Sequence, residues 1–366
     1  MRKIAVVGAG KIGSAIVDML RTSGAYQVAV IDQDEARLAA LKVGEGVERI
    51  CVDVRDPVAL AARLDGVFAV ISAAPYQLTV PIAQAVKAAG AHYLDLTEDV
   101  AATRQVRALA QGAGSAFIPQ CGLAPGFISI VAMDLAQRFD EVHAARLRVG
   151  ALPRYPTGGL NYNLTWSTEG VINEYCEPCE AIVQGERREV AALEGLETFA
   201  LDGVAYEAFN TSGGLGSLCD TLAGRVRNLS YRTIRYPGHG AIMRTLLNDL
   251  ALRDRRDLLK DILEHAVPAT LQDVVIVFVT LSGLKAGVLM QETYVNRVYA
   301  QPIDGRPMSA IQITTAASVC AVADMLANGD LPQSGFVRQE DIPLDRFLAN
   351  RFGRWYAGDD QALRTA

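Results

Sequence analysis

The sequence predicts an α/β protein with two domains: a doubly wound parallel sheet, followed by a second α+β domain with a mixed sheet. Three observations support this prediction. Apolar, strand-length runs alternate with amphipathic helical patterns over roughly the first 125 residues. The first of these runs passes directly into a glycine-rich string that opens a helix. Beyond Gly126, longer strand-like segments follow one another, and the total of 366 residues suits two hydrophobic cores.

The glycine-rich string lies close to the N-terminus. The strand-like run of residues 3–7, apolar from Ile4 onward, is followed by G-A-G-K-I-G at residues 8–13 and then by an apolar helical pattern. In such a strand–loop–helix unit, Gly8 makes the tight turn, Gly10 lets the backbone approach a pyrophosphate, and Gly13 lets the helix pack on the strand. The free N–H groups at the helix N-terminus favour a diphosphate. These residues predict a Rossmann-type dinucleotide-binding domain; the alternative is a glycine turn in an ordinary α/β protein.

The second predicted strand indicates which dinucleotide is bound. The strand-like run of residues 27–31, apolar from Val28 onward, is followed by Asp32, about 20 residues after the glycine string. A carboxylate at this position accepts hydrogen bonds from the ribose hydroxyls and repels a 2′-phosphate. Arg37 lies one turn later and either faces a phosphate or is an ordinary solvated helix residue, which we consider the better interpretation. The pattern favours NAD over NADP.

Further strands are predicted at residues 50–52, 68–72, 93–94 and 116–118, with helices at 56–64, 79–89 and 99–111. Ligands of parallel sheets bind beyond the carboxyl ends of the strands. The residues that follow each strand are therefore the candidates for the site. The predicted cofactor-binding residues are Gly8, Gly10, Lys11, Ile12, Gly13, Asp32, Asp53, Val54, Ala73, Ala74, Pro75 and Gly122.

The second half of the chain predicts a different architecture. A helix at 128–139 is followed by strand-like segments at 145–151, 161–167, 204–208 and 230–235. A long pair, 274–281 and 292–300, resembles a hairpin joined by a turn region at Ser282-Gly283. An alanine-rich helical run, 309–326, is expected to return to the first domain. The predicted domains are therefore residues 1–125, joined by about 309–366, and residues 126–308; exposed faces of such sheets commonly pair between subunits, which predicts a homodimer.

Composition excludes several classes of function. The net charge of −6 argues against a nucleic-acid or anionic-membrane partner. We see no charged leader with an apolar core and no stretch of the ~18 apolar residues that a membrane span needs, so a cytoplasmic protein is expected. Six scattered cysteines are too few to staple a chain of this length. Cys176 and Cys179 have no second pair or nearby histidine ligands, so no metal site is expected.

Two polar stretches carry the candidate chemistry. Residues 120–126 leave the last predicted strand of the first sheet, either near the nicotinamide end of a cofactor or as a purely structural turn. In residues 230–239, Arg235 can hold a substrate carboxylate bidentately, and His239 can accept a proton near neutral pH. Alternatively, His239 caps a helix and Arg235 pairs with a structural acid. That helix is predicted to turn one apolar face inward, made of Ala241, Ile242, Leu246, Leu247 and Leu250.

Several motifs, in order along almost the whole chain, resemble those of the saccharopine dehydrogenase family. They are VVGAG at 6–10, SAAPY at 72–76, HYLDL at 92–96, CGLAPG at 121–126, GALP at 150–153, residues 161–170, and TIRYPGH at 233–239. Within the family the chain looks most like the lysine 6-dehydrogenase branch. The resemblance implies a Rossmann domain, a dimer-forming catalytic domain, and oxidation of an amine with a nicotinamide cofactor.

One departure from the family pattern favours this branch. Relatives that use saccharopine and form glutamate carry an arginine just before their version of Ser212, where this chain has Thr211. A site without that cation handles a second dicarboxylate arm poorly, although Arg225, Arg232 or Arg244 can substitute. The expected reaction is NAD-dependent oxidation of the L-lysine ε-amine to the 6-semialdehyde, with release of ammonia. Reductive condensation of an amine with an oxo acid is the alternative, and a catalytically inactive NAD-binding regulatory or scaffold protein is another.

The expected reaction gives each candidate residue a role. Asp95 or His239 is the predicted proton acceptor, and Cys121 is a further candidate for the catalytic set. Arg235 and Thr233 are predicted to orient the amino-acid end of the substrate. The remaining predicted substrate contacts are Tyr76, Glu98 and Trp166, of which Tyr76 and Trp166 would line the aliphatic chain.

Overall fold

The structure, a computed structural model, describes residues 1–41 and 46–357. Its contacts divide the chain into two compact units. The first contains Met1–Ile130 together with the segment that starts at Gln312, and the second is Val131–Ile311. The sequence placed the corresponding boundaries after residues 125 and 308.

The first unit is built on a seven-stranded, wholly parallel sheet. Its strands are β1 (Arg2–Val7), β2 (Tyr26–Asp32), β3 (Val47–Cys51), β4 (Ala69–Ser72), β5 (His92–Asp95), β6 (Ala116–Ile118) and, from the C-terminal segment, β17 (Gly335–Phe336). In space they lie in the order β17-β6-β5-β4-β1-β2-β3. The run 3-2-1-4-5-6 is the strand order of doubly wound dinucleotide-binding sheets. The predicted fold class is confirmed.

Continuous apolar strands account for the burial of this sheet on both faces. Ile4 to Val7 of β1 and Ala69 to Ile71 of β4 are almost completely buried, as expected for parallel strands covered by helices. Asp34, Asp56 and Asp99 cap helix N-termini through their side chains. The helices of this unit are α1 (Lys11–Thr22), α2 (Glu35–Ala40), α3 (Pro57–Ala61), α4 (Thr79–Ala89), α5 (Val100–Ala110) and α12 (Leu344–Ala349). Helices α6 (Phe127–Ala136) and α11 (Ala310–Asn328) begin in one unit and end in the other.

The second unit is built on a mixed sheet with a main path β10-β11-β12-β7-β13-β14. Strands β7 and β12 pair in parallel, and the other pairs on this path are antiparallel. The strands of the unit are β7 (Glu141–Pro153), β8 (Cys179–Val183), β9 (Glu186–Val190), β10 (Glu197–Leu201), β11 (Val204–Asn210), β12 (Val226–Arg235), β13 (Asp273–Lys285), β14 (Val288–Tyr299), β15 (Gln301–Ile303) and β16 (Arg306–Met308). Its helices are α7 (Thr168–Cys176), α8 (Leu218–Leu222), α9 (His239–Arg244) and α10 (Arg256–Ala266).

Two strand predictions in this unit are wrong. Residues 161–167 form no strand, and only Leu164 makes an isolated bridge, to Ala269. The β13–β14 hairpin turns at Ala286 and Gly287, which both have positive φ as a two-residue hairpin loop requires. Gly283 instead lies inside β13, where a Cβ would stand 2.0 Å from the Glu141 carbonyl oxygen. The glycine that suggested a turn is therefore a packing requirement of the strand.

The predicted apolar face of the helix after Pro237 is only partly correct, since Leu247 is buried and Leu246 half-buried as expected, but the other three residues are not. Ala241, Ile242 and Leu250 are exposed, whereas His239, Gly240, Met243 and Leu247 are buried. The helix begins at the buried His239, and α9 is followed by a π-helical turn at Thr245–Asp249, so the regular 3.6-residue spacing assumed by the prediction does not continue to Leu250.

Among the described residues, α11 is the one helix that is long and apolar enough to cross a membrane, judged by length and composition alone. The expectation that no such stretch exists is therefore wrong for this helix. However, 83% of this apolar stretch is buried inside the structure, and the core helix of a globular unit has the same length and composition. The small residues of this helix, mainly Ala, Thr and Ser, allow close packing within the protein.

Candidate active site

The three glycines of the N-terminal loop have different structural environments. Gly8 has φ +104°, and a Cβ there would stand 2.9 Å from the Ala73 carbonyl oxygen. A Cβ on Gly13 would stand 1.8 Å from the Gly8 carbonyl oxygen. Gly10, in contrast, has ordinary dihedral angles, and a Cβ there would meet no heavy atom within 4 Å. The fold itself requires Gly8 and Gly13, whereas the open surface at Gly10 fits the close approach of a ligand.

The N-terminus of α1 fits a diphosphate group. Gly10 is the N-cap and supplies no side chain to bond the first N–H groups of the helix. Lys11 is exposed and Ile12 half-buried, so this first turn reaches the surface. Uncapped N–H groups and the positive end of the helix dipole together bind anions. The predicted cofactor residues Lys11, Ile12 and Gly13 thus surround a site that suits the pyrophosphate of a dinucleotide.

Asp32 lies beside this loop at the end of β2. Its Oδ2 accepts a hydrogen bond from the Ala9 N–H at 2.8 Å, and its Oδ1 accepts one from the Asp34 N–H at 3.0 Å. The half-buried carboxylate is therefore fixed at the position where a ribose diol is bound in this fold. Arg37 is exposed and pairs with Asp34 at 3.3 Å, which agrees with its interpretation as a solvated helix residue.

The predicted residues after β3 and β4 lie at the same edge of the sheet. Asp53 is exposed and bound by the Arg55 guanidinium, which lowers the pKa of the carboxyl group, while Val54 is buried in the core. Ala73 donates its N–H to the Val7 carbonyl oxygen at 2.8 Å, so the loops after β1 and β4 meet. Ala74 is half-buried and Pro75 exposed, and Tyr76 starts a short 3₁₀ turn with 44% of its surface exposed.

Asp95 is an anchor of the carboxyl edge of the sheet. Its Oδ2 accepts a hydrogen bond from the Tyr93 hydroxyl, and its Oδ1 accepts two, from the N–H groups of Thr97 and Gln120. Burial raises the pKa of this carboxyl group to about 6, in spite of the three donors. Because both oxygens already bind donors from two loops, the structure supports a positioning role for Asp95 more than the predicted role of proton acceptor.

Cys121 is completely enclosed by the same edge of the sheet. Its thiol donates to the Ile118 carbonyl oxygen at 2.9 Å and accepts a bond from the Gln339 amide at 3.1 Å. Burial raises the pKa of the thiol well above its usual range, so no thiolate forms near neutral pH. This environment argues against the predicted catalytic role. At Gly126 a Cβ would stand 2.1 Å from the Gly122 carbonyl oxygen, so the loop of residues 120–126 is also a tight turn in its own right.

In the second unit, Arg235, Tyr175 and His239 form a buried chain of hydrogen bonds. Arg235 Nε donates to the Tyr175 hydroxyl oxygen at 2.8 Å, and the Tyr175 Oη lies 3.0 Å from His239 Nε2. The Leu160 carbonyl oxygen can only accept a hydrogen bond, so in a neutral ring Nδ1 carries the proton and the Tyr175 hydroxyl donates to Nε2. His239 Nε2 is consequently the acceptor, and Nδ1–H donates to the Leu160 carbonyl oxygen at 3.0 Å.

His239 is held neutral by this environment. Burial, and then the nearby Arg235 guanidinium, lower the pKa of the imidazole to about 3. The expectation that His239 titrates near neutral pH is therefore wrong, because a charged ring would be both desolvated and repelled. Glu207 fixes the start of α9 as well, since its carboxylate accepts the N–H groups of Gly238 and Gly240.

The Arg235 guanidinium is the most unusual group of this cluster. It is 2% exposed, and its Nη1 donates to the Thr233 hydroxyl and to the Ile234 carbonyl oxygen, both at 2.9 Å. The ring of Tyr162 lies 5.1 Å from its Cζ. Among the described residues, no carboxylate forms an ion pair with it, although Glu174 acts on it through space. Thr233 and Arg235, which were predicted to bind substrate together, are thus in direct contact.

Apolar and aromatic side chains surround this cluster. Trp166 is half-buried and packs with Tyr162 and Tyr175, and a Cβ on Gly170 would collide with its ring at 2.4 Å. Sequence reasoning missed Tyr162, Tyr175 and Glu207. The apolar residues Val171, Ile172 and Tyr175 at helical spacing could have revealed α7, but the connection from Tyr175 to Arg235 spans 60 residues.

Two family models match the chain. The saccharopine dehydrogenase NADP binding domain matches residues 4–118, and the saccharopine dehydrogenase C-terminal domain matches residues 122–352. The first covers the glycine loop and Asp32, and the second covers the Arg235 cluster.

Solved structures with a similar fold include apo saccharopine dehydrogenase (L-Glu forming) from Saccharomyces cerevisiae. That structure matches with a TM-score of 0.80 at 16% identity, over 95% of this chain and 97% of the other. An engineered D-amino acid dehydrogenase bound to NADP⁺ matches with a TM-score of 0.48 at 14% identity, over 93% of each chain. GenD2 from gentamicin A biosynthesis, in complex with NAD, matches with a TM-score of 0.44 at 17% identity, over 90% and 88% of the chains.

The two family models together cover most of the 366 residues, and both units have the architecture of the yeast enzyme. The chain belongs to the saccharopine dehydrogenase family, as an oxidoreductase that acts on amino-acid or amine substrates with a nicotinamide cofactor.

Proposed function

We propose that this protein catalyses the NAD-dependent oxidative deamination of L-lysine at its ε-amine. The amine carbon gives up a hydride, and hydrolysis of the resulting iminium yields ammonia and the 6-semialdehyde. The 6-semialdehyde then cyclises. The observation that carries the proposal is the buried Arg235 guanidinium, which has no ion-pair partner among the described residues. A substrate that carries a carboxylate supplies that partner.

The energetic argument for a carboxylate ligand rests on desolvation. A buried cation without a counter-ion is expensive, because several kcal/mol of hydration are lost and only partly replaced by hydrogen bonds, on the order of 1–3 kcal/mol each. Arg235 is held in place by Tyr175, Thr233 and a main-chain carbonyl group. The arrangement fixes the guanidinium before any ligand arrives, and because Nε and Nη1 already donate to protein oxygens, Nη2 is the nitrogen that a substrate carboxylate would meet.

Thr211 supports lysine over a dicarboxylate substrate. Its side chain is 2% exposed, and its hydroxyl makes no hydrogen bond in the described part of the chain. The resemblance implies that relatives forming glutamate carry an arginine at this position, and that this arginine holds the second carboxylate of their substrate. Of the possible substitutes, Arg232 already pairs with Glu197 at 2.8 Å, and Arg244 donates to the Leu193 carbonyl oxygen. A neutral aliphatic chain, packed against aromatic residues such as Trp166, fits this environment better.

The choice of NAD rests on Asp32. Its carboxylate accepts hydrogen bonds from ribose hydroxyls but repels a 2′-phosphate, and the nearby Arg37 is paired with Asp34. Bound nicotinamide supplies the hydride acceptor. The protein positions the reacting groups: Gly10 and the start of α1 hold the diphosphate, Arg235 and Thr233 orient the amino-acid end, and Asp95 fixes the loop that contains Cys121 and Gly122.

We also propose a homodimer that works in the cytoplasm. Strand β14 is the edge of its sheet and carries exposed apolar side chains, with Leu289 68%, Val288 60% and Tyr299 43% exposed. Long apolar edge strands tend to be covered by another chain. Light scattering of the purified protein tests the dimer, and a monomer at working concentration would contradict it.

The proposed reaction is tested by incubating the purified protein with NAD⁺ or NADP⁺ and a panel of amines, and by following the absorbance of the reduced cofactor. We expect oxidation of L-lysine with NAD⁺ and release of ammonia. If the protein instead consumes reduced cofactor only when lysine and a 2-oxo acid are both present, it makes a saccharopine-type condensation product. If it binds NAD⁺ and turns over no amine in either direction, it is a scaffold or regulatory protein.

A further inference from the structure

We propose that Glu98 is the residue that accepts the proton of the substrate ammonium group. This inference rests on the proposed function, because an amine can release a hydride only after its ammonium form has lost a proton. The step is R–CH₂–NH₃⁺ + Glu98–COO⁻ → R–CH₂–NH₂ + Glu98–COOH, and the nitrogen lone pair that it frees then assists the departure of the hydride.

Glu98 lies in the loop after β5, at the carboxyl edge of the sheet, and this position supports the proposed role. The residue follows β5, whereas Asp32 and Asp53 follow β2 and β3 on the other side of β1. In sheets of this order the two halves of a dinucleotide bind on opposite sides of the switch point between β1 and β4. Since Asp32 marks the adenosine half, Glu98 lies at the end where the hydride acceptor belongs.

The turn that carries Glu98 is rigid. The Asp95 carboxylate accepts the Thr97 N–H at 3.0 Å, the Thr97 hydroxyl oxygen accepts the Asp99 N–H at 3.2 Å, and the Asp99 carboxylate accepts the Ala102 N–H at 2.6 Å. Each neighbour of Glu98 is thus fixed by a side-chain to main-chain bond. A catalytic group needs such support to remain in one geometry.

The carboxylate of Glu98 itself is uncommitted. In the described part of the chain it makes no hydrogen bond and no ion pair, and it is half-buried. Asp95, in contrast, has three donors on its carboxylate, and His239 is held neutral by burial and by the Arg235 guanidinium. Of the acidic residues on this loop, Glu98 is therefore the one that is available to a ligand.

The environment of Glu98 matches its proposed task. Burial, followed by the negative charge of Asp99, raises the pKa of the Glu98 carboxyl group to about 7. A base whose pKa lies near the working pH combines a usable population of the charged form with enough basicity to take the proton. An ordinary exposed glutamate would be a much weaker base.

The test compares the wild-type protein with Glu98→Gln and Asp99→Asn. We expect Glu98→Gln to lower kcat on the order of 100-fold or more and to remove the rise of kcat with pH that is centred near pH 7. The Kd for NAD⁺, measured by calorimetry, should change less than about twofold, because the variant keeps the loop and touches no predicted cofactor-binding residue.

Asp99→Asn is the matched control. Asparagine keeps the N-cap of α5, but the charge that raises the pKa of Glu98 is lost. The rise of kcat should therefore shift to lower pH while its plateau is retained. Infrared difference spectra of the cofactor-free proteins, wild type minus Glu98→Gln, should show one carboxyl group titrating near pH 7, and this titration should move to lower pH in an Asp99→Asn background.

The outcomes separate this inference from the proposed function. If the wild type oxidises amines and Glu98→Gln retains its kcat and pH profile, Glu98 is not the proton acceptor and the proposed function stands. If the wild type oxidises no amine, the proposed function fails and the role of Glu98 fails with it. A titration near pH 7 that persists in Glu98→Gln would assign that pKa to another group and overturn the inference.

Discussion

The glycine loop of the first unit and the Arg235 cluster of the second unit present polar groups to a ligand in opposite ways. At residues 8–13 the donors are main-chain N–H groups at a helix N-terminus, and the surface at Gly10 is open. At Arg235 the donors belong to side chains that are almost completely buried and already bonded to one another.

This difference has a physical cause. Backbone N–H groups remain available at a helix end because the helix cannot bond them internally, so the loop needs only small residues to be ready. A buried guanidinium must instead have its position specified by partners from other elements, here Tyr175 of α7 and Thr233 of β12. The first site therefore depends on small residues and on shape, whereas the second depends on every group in the hydrogen-bond chain.

The largest effect is expected at the glycine loop. Gly10→Val should abolish NAD⁺ binding, because the side chain fills the space of the diphosphate, with the Tm almost unchanged since a Cβ meets no atom there. Gly13→Val is the matched control: its Cβ would overlap the Gly8 carbonyl oxygen and should destabilise the fold by about 3 kcal/mol or more. Calorimetric titration and thermal unfolding measure both. A folded Gly10→Val protein with normal NAD⁺ affinity would refute the cofactor site.

The next largest effect is expected at the side-chain cluster. Arg235→Ala should raise the KM for lysine by a factor that corresponds to about 2–5 kcal/mol, the range for loss of one partner of a desolvated charge pair. The Kd for NAD⁺ should remain that of the wild type. Arg227→Ala, on the same strand and with an exposed guanidinium paired to Glu141, is the control and should change neither constant. Equal losses of lysine and NAD⁺ affinity would show a general disturbance instead.

The two sites also differ in how far the sequence predicts them. The glycine loop, Asp32 and the succession of parallel strands depend on local patterns, so the positions of β1, β2 and α4 follow closely from the sequence. The cluster joins Leu160, Tyr175, Arg235 and His239, which lie far apart along the chain. No local pattern states that His239 is buried beside a cation, and its pKa could not be foreseen for that reason.

The predictions that the structure does not support fail for the same reason. Gly283 looks like a turn residue, but the proximity of the Glu141 carbonyl oxygen across the sheet is what requires it. Cys121 follows a strand at the functional edge, as a catalytic residue would, yet the distant Gln339 closes over its thiol. In both cases a contact with a remote segment decides the role of the residue.

A smaller effect is expected at the one side chain on which the loop site relies. Asp32→Ala should weaken NAD⁺ binding by about 1.5–3 kcal/mol, since charge-assisted hydrogen bonds to the ribose are lost. It should also reduce the preference for NAD⁺ over NADP⁺, because the repulsion of a 2′-phosphate disappears. Glu35→Ala, an exposed acid in the first turn of α2, controls for the loss of charge alone. An unchanged ratio of the two affinities would place the ribose elsewhere.

The smallest effect is expected in the pH dependence of stability, which distinguishes the buried cluster from the open loop. The pKa of His239 is about 3 in the folded protein and near 6.5 in the unfolded chain, so the unfolded state takes up the proton first as the pH falls. Stability from this residue is therefore complete above pH 6.5 and is lost progressively between pH 6.5 and pH 3. Between pH 7 and pH 5 the loss amounts to about 2 kcal/mol.

Replacement of the imidazole isolates this contribution from those of other groups. His239→Gln cannot titrate, so its free energy of unfolding, from urea titrations at pH 7 and pH 5, should fall by about 2 kcal/mol less than that of the wild type. Carboxyl groups with a raised pKa, such as Asp95, affect both proteins alike and cancel in the difference. His265→Gln, at an exposed site on α10, should behave as the wild type. If His239→Gln and the wild type lose equal stability on acidification, His239 is not held neutral in the folded protein, and the direction of hydrogen bonding through Tyr175 must be reversed.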